Sequence, residues 1–362
     1  MRMTTAPDRL YHLDALRCFA MLFGVLVHAN ALQKPFPAIG FASQHFRMAL
    51  FFLISGFFVA RVAERDGTGA MLRRRSLAIG VPLLAMLALF QPLAERLMVA
   101  WSGAPPLAVV EEEQGPVMAR LTQLHHLWFL VSLGIYAALA PALLAALDRP
   151  RVRRFSTVLA QTPGDALIIG FALGVGALTA LLLEFHEDAV RRFLGPTPFD
   201  WTARATLQYL PFFALGLALQ RTPALLERAH RVSWPALILG VGLVMSFPLT
   251  NPNASAASAS AVFARAALSL AIVAALLAIG RRLFARPNPV TTALTGSIYT
   301  VYLFHFMAVY ALGAALAPHI PDPRLHMVVV AALAFLVSFA LHFWLIAPAP
   351  FLQFVFNGRL PR

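Results

Sequence analysis

Apolar residues run in stretches of about 20 along most of this chain, and polar residues gather in the short intervals between them. A stretch of that length spans the hydrocarbon core of a bilayer as a helix, with every backbone group bonded internally. Ten such stretches are legible, at about 13–32, 44–62, 76–99, 123–145, 165–184, 203–220, 233–249, 259–280, 291–315 and 325–347. The pattern predicts an all-α polytopic integral membrane protein with a single membrane domain over 1–362. The intervals 100–122 and 185–202 carry prolines and read as connectors, and Asn251 to Ser260 as a small polar turn. Gly170, Gly174 and Gly176 have a small-residue spacing that allows close helix packing.

Composition strengthens this reading. The chain is 59% hydrophobic and only 12% charged, with a mean hydropathy of +0.72, against about 25% charged residues in soluble domains. The net charge of +13 does not point to nucleic acid, because the basic residues sit in short scattered loops. With a cytoplasmic N-terminus, the inward-facing segments hold 19 of the 29 basic residues, while Glu111, Glu112 and Glu113 fall outside. That asymmetry predicts two cytoplasmic termini. Arg2, Arg9 and the first apolar run also imitate a secretory signal, but Asp14 and Arg17 interrupt it, so the first helix is expected to be retained. Cys18 is the lone cysteine, and no His-Glu-x-x-His pattern occurs, so neither a disulfide nor a metal centre is expected.

Ionisable residues inside spans are costly and are functional candidates by default. Arg17 and His28 share the first span at a separation of eleven residues. Eleven helical steps return to within about 20° of the starting direction and advance about 16 Å, so both side chains lie on one face. By the same arithmetic His305 reaches the depth of His28, and His45, Arg47 and His126 enter at that level from other spans. Arg73, Arg74 and Arg75 open the third span at the level of Arg17. The chain thus reads as two-ended, with cations for a phosphate-bearing ligand at the inner surface and histidine chemistry in the outer half. A donor on a long flexible nucleotide arm, such as acyl-coenzyme A, suits that separation.

These motifs resemble the membrane-bound acyltransferase-3 superfamily. The first helix carries the Arg-x10-His pattern, the second Phe51-Phe52-Leu53-Ile54-Ser55-Gly56, and the ninth Tyr299-x-x-Tyr302-Leu303-Phe304-His305. His45-Phe46-Arg47-Met48, His126-Leu127-Trp128-Phe129-Leu130 and Tyr209-Leu210-Pro211-Phe212-Phe213 resemble its glucan-succinylating branch. One departure is plain: a second arginine often follows three positions after Arg75, and here that place is Ala78.

The resemblance implies a bacterial inner-membrane enzyme. It moves an acyl group, succinyl or acetyl, from cytoplasmic acyl-CoA to a hydroxyl of a periplasmic glucan or other envelope polysaccharide. No bound cofactor is expected, and a glucan synthase is a conceivable partner. His28 is the expected base, assisted by His305, Tyr302 or His126. Arg17, Arg73, Arg74 and Arg75 are expected at the donor, and His45, Arg47 and Ser55 at the acceptor or acyl group. Simpler roles stand beside these: Arg17 paired with Asp14, Arg73 to Arg75 setting topology, His45 and Arg47 anchoring at the interface. The competing function is a transporter of a glycan, polyol or organic anion with the same residues lining a passage.

Overall fold

A computed structural model describes residues 10–102, 124–194, 198–231, 258–286 and 288–359, with positions 234, 238 and 242. The described elements are all helical. The expected seventh span, 233–249, lies almost wholly outside the described residues, as do most of the 100–122 connector and the turn before Ser258.

Helix α1 (Tyr11–Ala31) is followed by α2 (Pro37–Asp66). Helix α3 (Thr68–Ala85) runs through a π-helical turn at Met86–Phe90 into α4 (Gln91–Ser102). A 3-10 turn, His125–Leu127, opens α5 (Trp128–Leu147), and the short α6 (Pro150–Leu159) lies on the surface. Helix α7 (Gly164–Phe185) passes through a second π turn, His186–Val190, into α8 (Arg191–Leu194). Then come α9 (Pro198–Arg221), α10 (Pro223–Ala229), α11 (Ala259–Leu283) and α12 (Pro289–Leu316). Helix α13 (Pro323–Ala340) ends in a third π turn, Leu341–Ile346, before α14 (Pro350–Asn357).

Eight of these helical segments are long and apolar enough to cross a membrane. Helix α9 has the length, 24 residues, but carries Asp200, Arg204, Gln208, Gln220 and Arg221, so its composition is more polar than that of the eight. Several helices start earlier than the apolar pattern predicts because proline is placed at the first turn, where its missing N–H costs nothing. This holds for Pro37, Pro289 and Pro323, and Asn288 and Asp322 cap the last two with side-chain oxygens.

The core lies between α1, α2, α5, α9, α11 and α12, where Leu50, Phe52, Ile54, Tyr136, Phe213 and Leu303 are fully enclosed. Its tightest seam is α2 against α9. Gly56 faces the backbone of Phe213 and Leu217, and Gly216 faces that of Leu53 and Phe57, so the two helices meet backbone to backbone. Of the three glycines expected to permit close packing, only Gly176 does so, against Phe263; Gly170 and Gly174 face open space. Gly170 and Gly174 fall on one stripe of α7, whereas Gly176 is two residues further and points elsewhere.

A methyl group at Gly216 meets rigid backbone rather than a yielding side chain. Gly216→Ala is expected to destabilise the fold by about 1–3 kcal/mol, the usual cost of overpacking. A thermal-shift measurement on detergent-purified protein checks this, and an unchanged melting temperature would contradict the seam.

Candidate active site

Helix α1 is unbroken from Tyr11 to Ala31, so it holds Arg17 and His28 at fixed separation, and each anchors a distinct cluster.

At the Arg17 end a cavity of about 200 Å³ is lined by Arg17, Ser55, Arg75, Ala78, Tyr299 and Arg359, with Phe51 and Phe129 on its inner wall. Arg17 lies over the Phe58 ring at 5.4 Å, a cation–π contact. Its nearest approach to Asp14 is 3.8 Å, longer than the 2.7–2.9 Å of a charge-assisted hydrogen bond. The expected pairing is therefore loose, and Arg17 lines the cavity with Nε buried and without a partner. Tyr299 donates its hydroxyl proton to the Ala78 carbonyl at 2.8 Å, which seats α12 against α3.

The three consecutive arginines separate, because neighbours on a helix diverge by about 100°. Arg75 turns to the cavity, Arg73 is exposed at the surface, and Arg74 is bound to Asp66 at 2.5 Å. The structure thus corrects the grouping of Arg73 and Arg74 with Arg17. Ser55, expected at the acceptor or acyl group, lines the Arg17 cavity, two helical turns along α2 from Arg47.

At the other end four histidines gather around Phe306. The rings of His126 and His125 stack on it at 4.7 and 5.5 Å, and His28 meets it edge-on at 5.1 Å. His305 lies 5.2 Å from His28 and 5.6 Å from His126, ring centre to ring centre.

Backbone carbonyls set the tautomers, since a carbonyl accepts only from an N–H. His305 Nδ1 donates to the carbonyls of Tyr302 at 2.7 Å and Val301 at 3.0 Å, leaving Nε2 as a buried lone pair without a partner. His126 Nε2 donates to the Leu303 carbonyl at 3.2 Å, leaving Nδ1 likewise bare. Tyr302 donates to the His126 carbonyl at 2.7 Å. His28 makes no hydrogen bond among the described residues, so its nitrogens are uncommitted there.

Arg47 reaches this cluster from α2. Its guanidinium packs on Gly24, one turn before His28, and His305 Nε2 faces the same glycine. Arg47 also lies within electrostatic reach of Tyr302 and Tyr209. His45 does not join: its Nδ1 donates to the Phe41 carbonyl at 2.8 Å, and its ring packs on Phe41. Between the two ends stands an aromatic layer in which Phe129 touches both Phe51 and Tyr302.

Several residues of the site were not singled out by pattern. His125 Nε2 pairs with Glu95 at 2.9 Å, and the pair is held by a left-handed backbone at His125, φ +40°. Such a conformation is costly for a residue with a Cβ and is typical of functional sites. Phe306 looks like any apolar span residue, and Arg359 falls in a tail after the final span.

A cationic cavity joined by one helix to a histidine cluster suits group transfer, and comparison of the whole chain says which group. A profile of the acyltransferase domain matches residues 10–343, and the chain belongs to this acyltransferase family. It is a multi-pass membrane acyltransferase. Among curated proteins the chain is similar to glucans biosynthesis protein C of Salmonella heidelberg (strain SL476) and of Salmonella typhi. Each is 23% identical over 384 residues, covering 99% of this chain and 97% of the relative. No solved structure matches the chain.

Gly24 gives Arg47 its place beside the histidines, and a Cβ there would meet the guanidinium tip, which can swing away. Gly24→Ala is expected to leave the melting temperature nearly unchanged yet to lower acyl transfer by about tenfold or more, the scale of a lost charge-stabilising contact. Parallel thermal-shift and activity assays check this; unaltered turnover would detach Arg47 from the reaction.

Proposed function

We propose that this acyltransferase carries an acyl group from cytosolic acyl-CoA to a sugar hydroxyl of a periplasmic glucan or related envelope polysaccharide. The observation that carries the reading is the span of α1: Arg17 in a cationic cavity at one end, His28 among uncommitted imidazole nitrogens about 16 Å away. The bias of basic residues toward one side supports a cytosolic placement of the cavity. In this reading the nucleotide phosphates stay with Arg17 and Arg75, and the pantetheine arm passes Phe51 and Phe129 to bring the thioester to His28.

His28 acts as general base. Its neutral imidazole takes the proton of the acceptor hydroxyl as the oxygen attacks the thioester carbonyl. The tetrahedral intermediate collapses, the C–S bond breaks, and the imidazolium returns its proton to the departing thiolate, giving the sugar ester and free CoA. His305, His126 and Tyr302 have committed their N–H and O–H donors to backbone carbonyls. They are therefore poor oxyanion donors, and that role falls to Arg47, whose Nε is buried without a partner. The lone pair of His305 faces the same space and serves to orient His28 or the acceptor hydroxyl. The resemblance to the glucan-succinylating branch favours succinyl as the acyl group, and similarity to glucans biosynthesis protein C supports a glucan acceptor.

His28→Ala is expected to lower transfer by about 10² to 10⁴-fold, the usual worth of a positioned base, with normal insertion and expression. Mass spectrometry of cell-envelope glycans from cells carrying either form reads out the substituent and its carrier together. Full modification by the variant would refute His28 as the base, and flux of a glycan without any donor would favour transport.

A further inference from the structure

The cavity at Arg17 is lined in part by the C-terminal segment. Helix α14 returns to it after the last span, anchored by Phe356 against Phe304 at 5.1 Å and Phe90 at 5.8 Å. Gly358 ends that helix in the left-handed conformation, φ +59°. Its N–H donates to the Phe354 carbonyl at 2.9 Å, and the Arg359 N–H returns to that of Gln353 at 3.3 Å. Gly358 also lies directly on the backbone of Leu77 and Ala78, so close that a Cβ would collide. Two constraints, a turn and a backbone contact, thus fix where the next residue points.

That residue is Arg359, which lines the cavity with Arg17 and Arg75. Asn357 lines it too, nine-tenths buried, with its Nδ2 unpartnered. Three arginines from three separate segments therefore line one small space, Arg359 from its exposed rim. Like charges converge in this way at sites that bind polyanions.

We infer that the 350–359 segment completes the donor site, with Arg359 as a third phosphate-binding cation and Gly358 as the residue that aims it. The inference rests on the donor reading of the cavity given above. It makes Arg359 a determinant of donor affinity rather than of chemistry.

The test uses full-length protein in nanodiscs and free coenzyme A as the probe, with binding measured by calorimetry and acyl transfer alongside. Arg359→Ala is expected to weaken coenzyme A binding by about tenfold, the worth of one charge-assisted contact. It should also flatten the salt dependence and raise KM for the donor, leaving kcat at saturating donor and KM for the acceptor unchanged. Arg359→Lys should recover part of the affinity, and Gly358→Ala, which keeps the charge but misdirects it, should lose it. If the wild type binds coenzyme A, Arg17→Ala weakens it and Arg359→Ala does not, this inference fails while the donor reading stands. If the wild type binds no coenzyme A, both fail. Nanodiscs with and without phosphatidylglycerol separate the remaining source of phosphate: an effect of Arg359→Ala on lipid retention alone assigns the cavity to a headgroup and overturns the proposal.

Discussion

The constraint on which everything else depends is the cost of a polar group in hydrocarbon. A guanidinium or imidazole within a membrane helix must be met by protein, or lie where water or ligand can reach it. Here the two answers occur in different proportions at the two levels of α1. Near Arg17 the cations are left facing a cavity, with an aromatic ring and a distant carboxylate as company. Near His28 the imidazoles of His305 and His126 are tied to main-chain carbonyls, and their remaining nitrogens are buried without a partner.

That tying has a chemical effect. A histidine whose N–H is spent on a carbonyl presents a fixed lone pair, so its tautomer is decided by the helix and not by the substrate. The reciprocal bonds between α12 and His126, one from Tyr302 and one to Leu303, make the start of α5 and the middle of α12 a single unit. His28, by contrast, makes no hydrogen bond among the described residues and packs on the rings of His305 and Phe306. The base is thus held by ring contacts among partners whose tautomers are already fixed, as a preorganised site requires.

The spans and the Arg17–His28 axis were legible in the sequence because both follow from helix period and apolar length, which are local properties. The shared level of His305, His126 and His28 was legible from depth alone, since distance along a span fixes depth whichever way the span runs. What escaped was rotation about each axis. Depth places Arg73, Arg74 and Arg75 together, and only the angle separates the one that reaches the cavity. The same blindness hid Glu95, which pairs with a histidine 30 residues away. Arg359 was invisible for another reason: a charged residue beyond the last apolar run carries no signal of a chain that folds back.

The π-helical turn at Met86–Phe90 has a geometric outcome for the Glu95–His125 pair downstream of it. A π turn accommodates one surplus residue in a helix, so every side chain after it is rotated by about 100° from where a regular helix would carry it. Removing a single residue from that stretch would restore ideal winding and shorten nothing appreciable. It would also swing the carboxylate of Glu95 a quarter-turn off its imidazole, turning a length change too small to notice in an alignment into the loss of the Glu95–His125 contact.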